Sequence, residues 1–255
     1  MIDKRFTQVG LDRIVRLVWL ERVSSLVLAG NEAEDIKAIL QQDLKGAFRS
    51  SRTDVRGSID KTITILTKVW VKVPSGLDSL RDGGLELLQH LPRRDRLAVH
   101  WGMTMAAYPF WAAVAAQTGR LLRLQGSAGA AHVQRRVREQ YGERETVARR
   151  VRYVLRSYLD WGVLQETDAT GVYGACPPIA VEGIRLTGWL VEALLYSRAN
   201  GSSPLRELLE SPSLFPFQVV PVSAEGLVSA SNHLDLLRQG LDDALVMLAE
   251  PKQNR

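Results

Sequence analysis

The chain has 255 residues, 45% of them hydrophobic, and a net charge of +5. That apolar content supplies a core for one large domain or for two or three small ones. A single cysteine, Cys176, excludes an internal disulfide framework and fits a reducing cytoplasm. Arginine carries most of the positive charge, with 26 Arg against 7 Lys. Arginine suits bidentate contacts to phosphate and guanine, although a generic basic surface has the same composition. No secretory signal is expected, because Arg13, Arg16, Glu21 and Arg22 interrupt the first apolar stretch.

In chain order, Leu11, Ile14, Val15, Val18, Trp19, Val23, Leu26 and Val27 predict a helix over 10–29, stopped by Gly30-Asn31. A second helix is expected over 32–47, with Ile36, Ile39, Leu40 and Leu44 on one face. Phe48 to Ser58 reads as a polar loop with Arg49, Arg52 and Arg56, and helices follow over 58–71 and 77–91. Gly83-Gly84 weakens the last of these, and Pro92 to Asp95 marks a boundary.

Between Arg96 and Arg120 there is no formally charged residue. A membrane span needs roughly 20 apolar residues. This stretch is alanine-rich, contains His100 and Gln117, and is broken by Pro109. Two buried core helices, or one kinked helix, are expected instead. Pro109 should end one helix at about Ala107 and start another.

A strand over Leu121–Leu124 and a turn over Gly126–Gly129 come next. Helix 130–141 follows, with Ala130, Val133, Val137 and Tyr141 on one face, and Gly142 ends it. Thr146 is placed to cap a helix over 147–161. That helix buries Val147, Val151, Val154, Leu155, Tyr158 and Leu159 and carries Arg149, Arg152 and Arg156 on the opposite face. Two short strands around Asp168-Ala169-Thr170-Gly171 form a hairpin. Strand, helix, turn, helix, strand, turn, strand is the order of a winged helix-turn-helix. Beyond it, helices are expected over 181–197, 203–210 and 232–249, with an extended run over 214–220.

The charge is concentrated in this unit. Segment 134–156 holds eight arginines (Arg135, Arg136, Arg138, Arg144, Arg149, Arg150, Arg152 and Arg156) against three glutamates, which equals the net charge of the whole chain. DNA presents dense phosphate charge, and a recognition helix keeps one side on its own domain and offers the other to the groove. These eight are the candidate DNA-binding residues; the bland alternative is a solvated basic helix face. Glu166 and Asp168 in the expected wing oppose phosphate contact there. Arg49, Arg52 and Arg56, interleaved with Ser50, Ser51 and Thr53, form a weaker second patch, read more simply as an interhelix loop.

No other constellation carries chemistry. The four histidines, His90, His100, His132 and His233, are scattered without partners at ligand spacing, and His100 reads as a core residue. Cys176 has no base beside it and reads as a buried thiol. The glycines of 83–84 and 126–129 precede no Gly-Lys-Ser/Thr phosphate loop. The six tryptophans read as core anchors.

Several short stretches resemble a known family. They are Trp19-Leu20-Glu21, the Arg94-Asp95-Arg96-Leu97-Ala98 lead into Ala107-Tyr108-Pro109, and Tyr153-Val154-Leu155 with Trp161-Gly162-Val163-Leu164. In layout, residues 10–215 are similar to the BrxA proteins of BREX bacteriophage-defence systems, and residues from about 216 onward look like an addition. The resemblance implies a small, mainly helical, non-enzymatic protein that binds DNA within a multi-protein defence system.

The expected fold is mainly α, a helical bundle with a central winged helix-turn-helix and a small β-hairpin. Its divisions are 1–92, 93–180 and 181–255. The expected function is DNA binding in the cytoplasm, largely through phosphates, with no catalytic residue, cofactor, metal or membrane partner. Other defence-system proteins are possible partners. The alternative is a scaffold that contacts partner proteins.

Overall fold

The charge-free run between Arg96 and Arg120 lies at the centre of the computed structural model, which describes residues 3–47, 55–238 and 244–249. Among the described residues four α-helices precede it: α1 (Leu17–Leu28), α2 (Ala33–Lys45), α3 (Val55–Trp70) and α4 (Asp78–His90). The run itself is α5 (Arg96–Ala107) and the first part of α6 (Pro109–Gln125). Pro109 occupies the first turn of α6, where its missing N–H costs nothing, so it divides the run as expected. Among the described residues no helix is long and apolar enough to cross a membrane.

Then come β1 (Ser127–Gly129), α7 (Ala130–Tyr141), α8 (Glu145–Asp160), β2 (Leu164–Glu166) and β3 (Val172–Ala175). The three strands form one antiparallel sheet in the order β1-β3-β2, with Ala128 opposite Tyr173 and Gln165 opposite Gly174. The C-terminal part is β4 (Ile179–Val181), α9 (Ile184–Tyr196), β5 (Ser202–Pro204), α10 (Leu205–Leu209), β6 (Phe217–Val219), α11 (Ala224–Ala230), β7 (Leu234–Arg238) and β8 (Ala244–Leu248). β4 and β6 pair in parallel, and β5, β8 and β7 form an antiparallel sheet in that order. The described chain is mainly helical.

α5 is buried from Ala98 to Ala107 and packs against α1, α3, α4, α6 and α9. The apolar core therefore runs across positions 92/93 and 180/181. Gly102 sets the approach of α5 to α9: a Cβ there would lie 2.6 Å from the Trp189 ring. His100 is a core residue, as its apolar neighbours imply. Its Nδ1 accepts the Trp70 indole N–H at 3.2 Å. Burial, aided by the Arg96 charge, holds its pKa down to about 3, so the imidazole stays neutral. Five of the tryptophans are buried, and Trp19 is partly so.

Several expected elements differ. Leu121–Leu124 is the end of α6, because leucine and arginine are good helix formers and nothing stops the helix before Gly126, at φ +73°. The first strand of the sheet lies in the expected turn, at Ser127–Gly129. The first helix starts at Leu17, and residues 10–16 are not helical. The expected helix over 232–249 is instead the β7 and β8 pair. Leu234 and Val246 are its buried positions, and β5 completes the sheet. Leu spacing of three and four residues fits a helix, but here strand pairing overrides it. Leu241 and the Asp242-Asp243 pair lie outside the described residues, as do Arg49, Ser50, Ser51, Arg52 and Thr53. α8 begins at Glu145 with Arg144 before it, so Thr146 is an exposed first-turn residue rather than its cap.

Candidate nucleic-acid interface

The division of α8 into two faces follows from its spacing. Val147, Val151, Val154, Leu155 and Tyr158 are buried. α8 packs chiefly on α7, and its Tyr158 reaches into an aromatic cluster built by α5, α6 and the chain after Pro212. Tyr158 lies 4.9 Å from Trp101 and 4.7 Å from Trp111 by ring centroids, and its hydroxyl donates to the Trp111 carbonyl at 2.9 Å. Phe215 closes the cluster at 5.7 Å from Tyr158. These contacts fix the rotation of α8 about its axis.

Fixing that rotation turns Arg149, Arg152 and Arg156 outward, and all three are exposed. At about 100° per residue they fall within a sector of roughly 60°. Arg149 and Arg156 make no hydrogen bond or ion pair with any described residue. Arg152 pairs with Glu145, about two turns earlier, at 3.1 Å. Both side chains of that pair are exposed, so its contribution is about 0–1 kcal/mol and an incoming anion can displace it.

The other candidate arginines separate into groups. Arg135 and Arg136 are exposed on α7, and Arg136 pairs with Glu139 at 3.3 Å. Arg144, exposed in the turn after Gly142, donates to the Tyr141 carbonyl at 3.2 Å. Arg138 is half-buried and engaged by Glu143. Arg150 points away from the row: it is half-buried and donates to the carbonyl of Val9. Arg56 is exposed in the first turn of α3.

The Arg150 contact belongs to a feature the sequence pattern concealed. Residues 9–17 form a strap alongside α8. The Val15 amide donates to Ser157 Oγ at 2.9 Å, and the Trp161 indole N–H donates to the Val15 carbonyl at 2.8 Å. The Leu17 amide donates to Asp160 Oδ2 at 3.1 Å, so α8 caps the start of α1. Leu11 and Val15 are the buried side chains of the strap, and Leu11 adopts φ +62°. Bonding of the strap to α8 in place of i→i−4 bonds is why the first helix begins late. The available signal was the set of polar groups Ser157, Asp160 and Trp161 on one edge of an otherwise apolar and arginine-bearing helix.

No family model, curated protein or solved structure matches the chain.

The strands beyond α8 carry the acidic residues. Glu166 ends β2, Asp168 lies in the following turn, and both are exposed. Thr167 holds that turn together through its hydroxyl, which donates to the Val172 carbonyl at 2.9 Å. Cys176 is half-buried rather than buried. Among the described residues no group of three or more His, Cys, Asp and Glu side chains is arranged to hold a metal ion.

Proposed function

We propose that the protein binds duplex DNA without catalysis, with the β1-to-β3 unit acting as a winged helix-turn-helix and α8 as its groove-facing helix. The observation that carries the reading is the outward row Arg149, Arg152 and Arg156, two of which have no partner among the described residues. α6 before β1 and the sheet order β1-β3-β2 support it. Binding rests mainly on phosphates, since charge is the dominant feature of the face. Arg135, Arg136 and Arg144 flank the row. Arg150 and Arg138 are left to hold the fold. The acidic turn after β2 stays off the backbone, because Glu166 and Asp168 repel phosphate.

Replacing Arg149 and Arg152 by Ala tests this. The log–log salt slope of duplex binding should flatten by about 0.9 for each lost phosphate contact. An unchanged slope and affinity in the folded double variant overturns the reading. The resemblance of residues 10–215 to BrxA proteins is the motive for placing the protein in a cytoplasmic anti-phage defence system. A methyltransferase, a large ATPase and a phosphatase-like protein encoded beside this chain are the expected neighbours.

A second reading, a scaffold for partner proteins, is favoured by a groove between α10 and α11 lined by Leu209, Val219 and Val222 and by the charged Arg206, Glu210 and the Arg238–Glu225 pair. Val220 and Leu237 are large exposed apolar residues on the same part of the chain. A duplex titration at two salt concentrations separates the readings, since a scaffold shows no salt-dependent DNA binding.

A further inference from the structure

We propose that the phosphate-contacting row of α8 continues past its C-terminal end onto Arg16 of the strap, so that duplex DNA lies across α8 and the start of α1 together. The inference rests on the reading of α8 as the DNA-facing helix.

Asp160 lies four residues after Arg156, on the same face of α8. A bare carboxylate there would repel the DNA backbone and end the row. It is not bare. Oδ2 accepts the Leu17 amide at 3.1 Å, and Oδ1 faces Arg16 Nε at 3.9 Å. The positive N-terminal end of α1, which has no acidic residue in its first turn, adds to the compensation.

Arg16 itself is poised for a further anion. Its side chain is 51% exposed, and its terminal guanidinium nitrogens make no hydrogen bond with any described residue. The guanidinium lies over the Trp19 ring, 5.3 Å from the centroid, which restricts its orientation and lowers the entropy lost on binding. At about 1.5 Å per residue, Arg149 to Asp160 spans roughly 16 Å, and Arg16 stands just beyond. The extended row therefore covers roughly five base-pair steps at about 3.4 Å each. Arg13 does not join it: it is turned toward Asp12 and Ser58, donating to the Asp12 carbonyl at 2.6 Å.

The test is fluorescence anisotropy of a labelled duplex of about 20 base pairs, at about 50 and about 200 mM salt, with the full chain. Arg16→Ala should weaken binding and shrink the affinity ratio between the two salts by about 3.5-fold, the share of one phosphate contact. Asp160→Asn keeps an oxygen for the Leu17 amide and removes the negative charge, so its affinity at low salt should rise. A merely structural role for the pair predicts no such gain. If Arg149→Ala reduces the slope while Arg16→Ala and Asp160→Asn leave both slope and affinity at the parent values, the extension is overturned and the α8 reading stands. If the parent protein shows no salt-dependent duplex binding, both fall.

Discussion

Gly119→Ala is expected to destabilise the protein by roughly 1–3 kcal/mol, read as a lower midpoint in chemical denaturation. Gly119 is buried in α6, facing the turn at Pro212–Leu214. A Cβ at this position would overlap the Pro212 carbonyl oxygen and lie 2.8 Å from Phe215 Cβ. The obstacle is backbone, which no rotamer change relieves. The better helix propensity of alanine recovers about 1 kcal/mol and does not offset the overlap. The turn is tied to the site, because Trp101 donates to the Ser213 carbonyl at 3.1 Å and Phe215 packs on Tyr158 beneath α8. On the proposed DNA-binding reading, loosening it should leave the salt slope of duplex binding intact, because the outward arginines themselves are unchanged. Gly126→Ala is the contrast: it is strained at φ +73° but meets nothing within 4 Å, so it should cost only about 1–2 kcal/mol. Equal stability of Gly119→Ala and the parent would overturn the overlap argument.

Where a residue acts through its own backbone or through helical spacing, its role was legible in the sequence. Pro109 divides α5 from α6 at the expected place, since proline lacks the donor and fixes φ wherever it stands. The arginine face of α8 was legible because Val147, Val151, Val154 and Leu155 must face the core and leave Arg149, Arg152 and Arg156 outside. The bounds of α7 were legible from Gly142, whose φ of +97° ends the helix.

The remainder depends on partners far away in sequence. Residues 10–16 carry a helical spacing of Leu11, Ile14 and Val15, yet their polar groups bond to Ser157 and Trp161 more than a hundred residues on. The leucines of β7 and β8 satisfy a helical period as well as a strand one, and pairing with β5 decides between them. Within the site, formal charge could not distinguish Arg149 from its neighbour Arg150. One is outward and unpaired among the described residues, and the other donates to Val9. The role of Asp160 was equally hidden, because its partners come from the start of the chain.

Glu192→Gln should stabilise the protein at pH 8 by roughly 3 kcal/mol and leave it little changed below about pH 4.5. Glu192 is buried in the middle of α9, and its Oε1 finds no hydrogen-bond partner among the described residues. Burial pushes its pKa up from 4.5 to about 7. The folded chain thus holds a proton that the unfolded chain releases between those values. Stability falls as pH rises through that window and levels off above it. His100 acts in the opposite sense. Its folded pKa of about 3 against an ordinary 6.5 makes the unfolded chain the one that binds a proton, so stability falls as pH drops from 6.5 toward 3. Between about pH 4.5 and 6.5 the two slopes oppose one another and cancel, giving the parent protein a plateau from this pair. Glutamine mimics the protonated acid at every pH. In Glu192→Gln the His100 slope is therefore exposed across that interval, and stability should climb from pH 4.5 to 6.5 and then hold to pH 8. Urea midpoints at pH 5, 6 and 8 provide the check. Parallel pH profiles for parent and variant would show that the Glu192 carboxyl is ionised in the fold and that the buried acid is not the source of the alkaline loss.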